Sequence, residues 1–168
     1  MLIIDARELS GRGFENLARA YYLYYKNDCV FHSGKMPANL DSIVQRLSIR
    51  RFVKMSLERI KNGEYSCIVE CDAEENIGAF MTGYCEDGMA TIMHVRVSPI
   101  ASYIDHHRTL NLYRRFVDAM KRQGANKVIA RVDDDDEKLA NLISGLGFLP
   151  LMDGYIDRLE NEEDQKHI

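Results

Sequence analysis

The sequence predicts an α/β (α+β) fold: a mixed sheet containing an antiparallel meander, with helices on both faces. Three observations carry this. Between residues 65 and 97 the apolar residues follow strand spacing, and two short turns divide the run into three. Before residue 63 the spacing is helical. After residue 99 a helix, a short β-branched run and a second helix follow, the pattern of a β-α-β unit.

The elements follow in order. Met1 to Arg7 opens on an apolar run that reads as a first or edge strand. Ser10-Gly11-Arg12-Gly13 breaks the chain, and from Phe14 the residues Leu17, Ala18, Tyr21, Tyr22 and Tyr25 recur at helical spacing. Cys29 to Asn39 reads as a loop. A second helix starts at Leu40-Asp41-Ser42, carries Ile43, Leu47, Val53, Leu57 and Ile60, and stops at Asn62-Gly63. Tyr65 to Cys71, Ile77 to Cys85 and Met89 to Val97 are the meander, with Glu86-Asp87-Gly88 as a hairpin-type turn. Pro99 closes it. The next helix places Leu110, Tyr113, Phe116, Val117 and Met120 on one face and ends at Gly124. Lys127 to Val132 is a strand, Asp135 to Leu146 a helix stopped by Gly147, and Phe148 to Leu159 a final strand or hairpin interrupted at Asp153-Gly154. The order is β-α-α-β-β-β-α-β-α-β. Residues 1–159 read as one domain and 160–168 as a polar tail that frays.

Composition bounds the function. A length of 168 residues fits one domain with a full core, and 46% hydrophobic with 29% charged residues is globular. A net charge of −4 argues against a broad nucleic-acid surface. No stretch reaches the length of a membrane span, and the amino terminus does not read as a signal peptide, so a cytoplasmic protein is expected. Cys29, Cys67, Cys71 and Cys85 form no CxxC pair and no zinc-finger spacing; buried free thiols are expected, and no metal.

Three stretches add a resemblance. Val95-Arg96-Val97-Ser98-Pro99 is similar to the V-x-V-x-P end of the fourth strand in the GNAT (Gcn5-related N-acetyltransferase) superfamily. Leu142-Ile143-Ser144-Gly145-Leu146-Gly147-Phe148 resembles that family's L-Y-x-x-L-G-F helix ending. Between them, Met120 to Val128 resembles its helix–Gly–Ala–strand junction. The element order matches as well, over nearly the whole chain.

The resemblance implies acetyl-CoA as co-substrate, bound where the fourth and fifth strands splay apart. It implies backbone contacts near Val95 and Val97 for the pantetheine arm. It also implies a pyrophosphate site on the loop entering the next helix, where free N–H groups and the helix dipole attract phosphate. The matching loop positions are Ile104-Asp105-His106-His107-Arg108-Thr109, which hold no glycine. His106, His107, Arg108 and Thr109 are the candidate contacts there, while Asp105 adds a like charge or caps the helix.

For chemistry, the family's base commonly lies on the fourth strand, but Thr91 and Met93 occupy those positions. His94 is the adjacent candidate. Strand alternation groups it with Ile92 and Arg96, opposite Val95 and Val97, unless a bulge re-aims it. The family's acid tyrosine is replaced by Ile143; Tyr103 is the candidate substitute, with Tyr84 and Tyr155 as others. The activity implied is acyl transfer to a small-molecule or protein amine by direct attack. The alternative is a catalytically degenerate GNAT-fold binding or structural protein, such as a bacteriophage particle component. A protein partner or a homo-oligomer is compatible with either.

Two charged features have simpler readings. Asp133-Asp134-Asp135-Asp136-Glu137 opens a helix, where carboxylates cap free N–H groups. Arg46, Arg50, Arg51 and Lys54 read as a solvated helix face or an acidic-partner surface.

Overall fold

The computed structural model describes residues 1–28, 42–97, 102–132, 137–151 and 154–159. Strand β1 is Leu2–Asp5. Ser10 then caps helix α1, Gly11–Leu23, by accepting from the Gly13 N–H at 3.2 Å. Helix α1 therefore begins three residues before Phe14: Ser10 and the Glu75 carboxylate, which accepts from the Ser10 N–H at 2.9 Å, satisfy groups that its glycines leave bare. A π-helical turn, Tyr24–Asp28, continues α1. Helix α2 is Ser42–Lys61.

The meander is β2, Ser66–Cys71, β3, Ile77–Glu86, and β4, Met89–Val97. Helix α3 is Ser102–Arg122, β5 is Lys127–Ala130 and α4 is Glu137–Gly145. The chain after α4 forms two antiparallel strands, β6, Leu149–Leu151, and β7, Gly154–Arg158. The seven strands lie in the order β1-β2-β3-β4-β5-β7-β6, and β4–β5 is the parallel pair.

Two cores flank the sheet. Ile68, Met81, Ile92 and Val128 face Leu112, Phe116 and Met120 of α3 and Ile143 of α4. Cys67, Val69 and Phe80 face Leu17 and Tyr21 of α1 and Ile49, Val53 and Ile60 of α2. Alternation along β2 and β3 feeds both cores from one run of apolar residues. This is the mixed α/β architecture predicted above, and the segment read as a final strand or hairpin forms two paired strands. Among the described residues, no helix is long and apolar enough to cross a membrane. No group of three or more metal-binding side chains gathers among them either.

Candidate active site

The site is built by a mismatch in strand length. Residues Met89 to Ile92 of β4 pair with Lys127 to Ala130 of β5, and there β5 ends. Strand β4 runs on to Val97, so residues 93–97 have no β5 partner. Their other edge stays paired with β3. The β5-side backbone of this half-strand is therefore a row of amide groups at an opening in the sheet. An extended ligand chain satisfies such groups as a strand does.

A β-bulge sits at the start of the opening. Thr82 pairs with His94 but Gly83 pairs with Ile92, which leaves Met93 as the extra residue. Gly83 is what fits here. A Cβ at this position lies 2.2 Å from the Thr91 carbonyl oxygen and 2.7 Å from Phe116 Cζ. The bulge corrects the face assignment made by simple alternation. Ile92, Val95 and Val97 all pack toward α3, while His94 lies against α1 and is separated from Ile92.

His94 is enclosed by tyrosines. The rings of Tyr21, Tyr24 and Tyr25 lie 5.5, 5.3 and 5.7 Å from its ring. Its Nδ1 is 3.1 Å from the Tyr21 hydroxyl, which also bonds Thr82 Oγ1. Its Nε2 is 3.5 Å from the Tyr25 hydroxyl, itself 2.8 Å from Ser56 Oγ. On the Tyr21 side the chain runs on through Thr82 to Cys67, a fully buried thiol that burial pushes up to about 12. That branch ends inside the protein. Burial lowers the His94 pKa to about 4, so the ring is neutral near pH 7. A neutral imidazole is proton-free at one nitrogen, but a conjugate acid this strong makes it a weak base.

The first turns of α3 flank the opening in sequence. The helix starts at Ser102, so residues 104–109, expected as a loop, are helical. Asp105 is inside the helix and is not its cap. The physical reason lies in the missing glycines: no residue in this stretch favours left-handed or strained backbone, so helical geometry extends through it. His107 is exposed. Thr109 is 4% exposed, on the helix face that carries Leu112, Tyr113 and Phe116. Arg108 turns toward β2. Its Nε donates to Glu70 Oε1 at 2.8 Å, and Nη2 bonds the same oxygen. Glu70 is only 3% exposed. This ion pair passes over Gly78, where a Cβ lies 2.7 Å from Arg108 Nη2. The side chains of Tyr103 and His106 lie outside the described residues. Of the other tyrosines considered, Tyr84 stacks on Tyr65 at 6.3 Å and Tyr155 packs on the α3 side of β7.

The fold recurs in solved structures. The PaiA N-acetyltransferase from Thermoplasma acidophilum, in complex with coenzyme A, superposes with a TM-score of 0.64. It is 14% identical, and the match covers 96% of this chain and 100% of that one. Aminoglycoside 6'-acetyltransferase type Ii gives 0.65 at 13% identity, over 96% and 99% of the two chains. An acetyltransferase of the GNAT family from Staphylococcus aureus Mu50 gives 0.59 at 15% identity, over 95% and 99%. This chain has the GNAT fold. No protein-family model and no curated protein matches its sequence. The β4 strand and His94 on it are the candidates that the sequence already named. The hydroxyl chain around that histidine and the Glu70–Arg108 pair were not legible in the sequence. Glu70, a carboxylate in an otherwise apolar strand, was the available signal for a buried partner.

Proposed function

We propose that this protein is a GNAT-fold acyltransferase that accepts an acyl-CoA thioester and transfers the acyl group to a primary amine by direct attack. The observation that carries the reading is the half of β4, residues 93–97, that runs on past the end of β5. The residues present there fit a coenzyme A arm. Backbone groups at Val95 and Val97 would hold an extended amide chain past the end of β5, and the N-terminal N–H groups of the 21-residue helix α3 would suit its phosphates. When bound, the thioester would supply an electrophilic carbonyl, and a β4 backbone N–H would stabilise the negative charge that develops on its oxygen. His94 is the base candidate on the opposite face, and Tyr103 the acid candidate. His106 and His107 are the candidate donors for the phosphates. Arg108 and Thr109 are not used, because one is held by Glu70 and the other faces the core.

A binding or structural role without transfer is the second reading. It is favoured by the low basicity of His94 and by the absence of loop glycines. Thermal melting with acetyl-CoA and desulfo-CoA tests the first reading. Millimolar ligand raises Tm by mass action if the native state binds it. An unchanged Tm with both overturns acyl transfer. Binding without acetylation across an amine panel favours the second reading.

A further inference from the structure

Helix α2 turns outward a face whose charge runs against that of the whole molecule. Ile49, Val53, Ser56 and Ile60 are buried, and their spacing of four, three and four residues marks the side packed on the sheet. On the side away from the sheet Leu47, Arg51, Lys54, Met55 and Glu58 form a crest, with Arg46 and Arg50 on its flank, and all of these are exposed. The helix carries six cations against the single carboxylate of Glu58, in a chain of net charge −4. Among the described residues, Arg46, Arg50, Arg51 and Lys54 make no ion pair.

A helix face kept only for contact with water mixes the two signs, with carboxylates and cations three or four residues apart. Here Arg46, Arg50 and Lys54 repeat at the spacing of four, and Arg51 stands three residues before Lys54. None of the three arginines has a carboxylate three or four residues away in the helix. Like charges placed in this way weaken a helix. Leu47 and Met55, 60% and 38% exposed, lie on the same crest about 12 Å apart along the axis. The helix thus carries repelling cations and leaves two apolar side chains in water. A ligand with carboxylates beside an apolar ridge offsets both costs.

We infer that this crest docks a short acidic amphipathic helix of a partner protein. Its carboxylates meet Arg46, Arg50, Arg51 and Lys54, and its apolar side chains meet Leu47 and Met55. Three of these four cations are arginines, whose planar fork holds both oxygens of a carboxylate. Glu58 ends the cationic stretch and confines the partner's carboxylates to the turns before it. The narrowness of the patch decides between classes of partner. At physiological salt a charge is felt over about 8 Å, so a slim helix meets only the patch. A flat anionic bilayer or a nucleic-acid duplex is broader, and it also meets the carboxylates of a molecule that is net negative. A duplex backbone, moreover, offers nothing apolar to Leu47 and Met55. The crest points away from the sheet, and so from the opening in β4; it is independent of acyl transfer.

The probe is a peptide of two repeats of Glu-Leu-Leu-Glu-Glu-Ala-Leu, labelled with fluorescein at its amino terminus and amidated. A second peptide carries Lys in place of each Glu. Anisotropy with the full chain should show the acidic peptide binding about tenfold more tightly than the lysine peptide, and losing affinity as salt is raised. Methyl NMR should place the shifts at Leu47 and Met55. Arg50→Glu with Arg51→Glu should weaken the acidic peptide about tenfold, Leu47→Gln should weaken it severalfold, and Glu58→Lys should strengthen it. None of these should lower Tm, since the side chains are exposed. Equal binding of the two peptides, no binding of the acidic one at millimolar concentration, or shifts confined to other methyls overturns the proposal. So does tighter binding to vesicles of phosphatidylserine and phosphatidylcholine or to a short DNA duplex, either of which gives the patch to phosphate. Salt-sensitive self-association without peptide, abolished by Arg50→Glu with Arg51→Glu, overturns it as well. That result gives the crest to the acidic run Asp133 to Asp136 of a second copy.

Discussion

His94 holds the balance between chemistry and stability at this site. Its pKa is about 4 in the folded protein against an ordinary 6.5, because the tyrosine-lined position desolvates the imidazolium. The unfolded chain therefore binds the proton more readily. Stability from this group is present above pH 6.5 and is lost as pH falls from 6.5 toward 4, by roughly 3 kcal/mol at most. Urea unfolding at stepped pH should show this loss, and His94→Gln should remove most of it. Activity should likewise show no inflection near pH 6.5 from this ring. Arg108 makes a second residue-level test. Arg108→Met alone strands the buried Glu70 carboxylate and should destabilise by about 3–5 kcal/mol. Adding Glu70→Leu should restore most of that. If the double variant keeps acetyl-CoA affinity, the arginine clamps α3 to β2 and does not bind phosphate. A tenfold loss in a stable double variant returns it to the cofactor.

At the scale of elements, β4 shows what a sequence does and does not disclose. Its alternation, the Asp87-Gly88 turn before it and its end at Val97 were readable, because each is a local backbone preference. The bulge at Met93 was not. It depends on the absence of a Cβ at Gly83 on the neighbouring strand and on where Phe116 of α3 packs, which are long-range facts. The same holds for α1, whose glycine-rich start looked like a break until Glu75, 65 residues away from Ser10, completed its cap. Gly83→Ala measures how firmly the bulge is held. The added methyl must part β3 from β4 or displace Phe116, and over-packing of this kind costs about 1–3 kcal/mol. Chemical denaturation should show that loss. Acetyl-CoA affinity should fall further than stability alone accounts for, because the same shift re-aims residues 94–97. Unchanged affinity in a destabilised variant would separate the bulge from ligand binding.

The whole molecule joins two cores through one sheet, and this decides how it should unfold. Met81 and Ile68 lie in the core under α3, while Phe80 and Val69, their immediate neighbours, lie in the core under α1 and α2. Loss of either core exposes alternate side chains of the same strands, which removes the surface on which the other is packed. The chain has no tryptophan, and of its nine tyrosines Tyr21, Tyr22, Tyr24, Tyr25 and Tyr65 pack with one core and Tyr113 and Tyr155 with the other. Replacing Tyr113 and Tyr155 by phenylalanine therefore leaves tyrosine emission weighted toward the first core. The parent and this variant should each give a single urea transition, with emission and far-UV circular dichroism superimposed. The variant's midpoint should be lower, because the Tyr113–Asp157 hydrogen bond is gone. A transition in emission that precedes the one in circular dichroism would mean that α1 and α2 come away first. Residues 1–159 would then be two cooperative units on a shared sheet, and the opening in β4 would lie at their boundary.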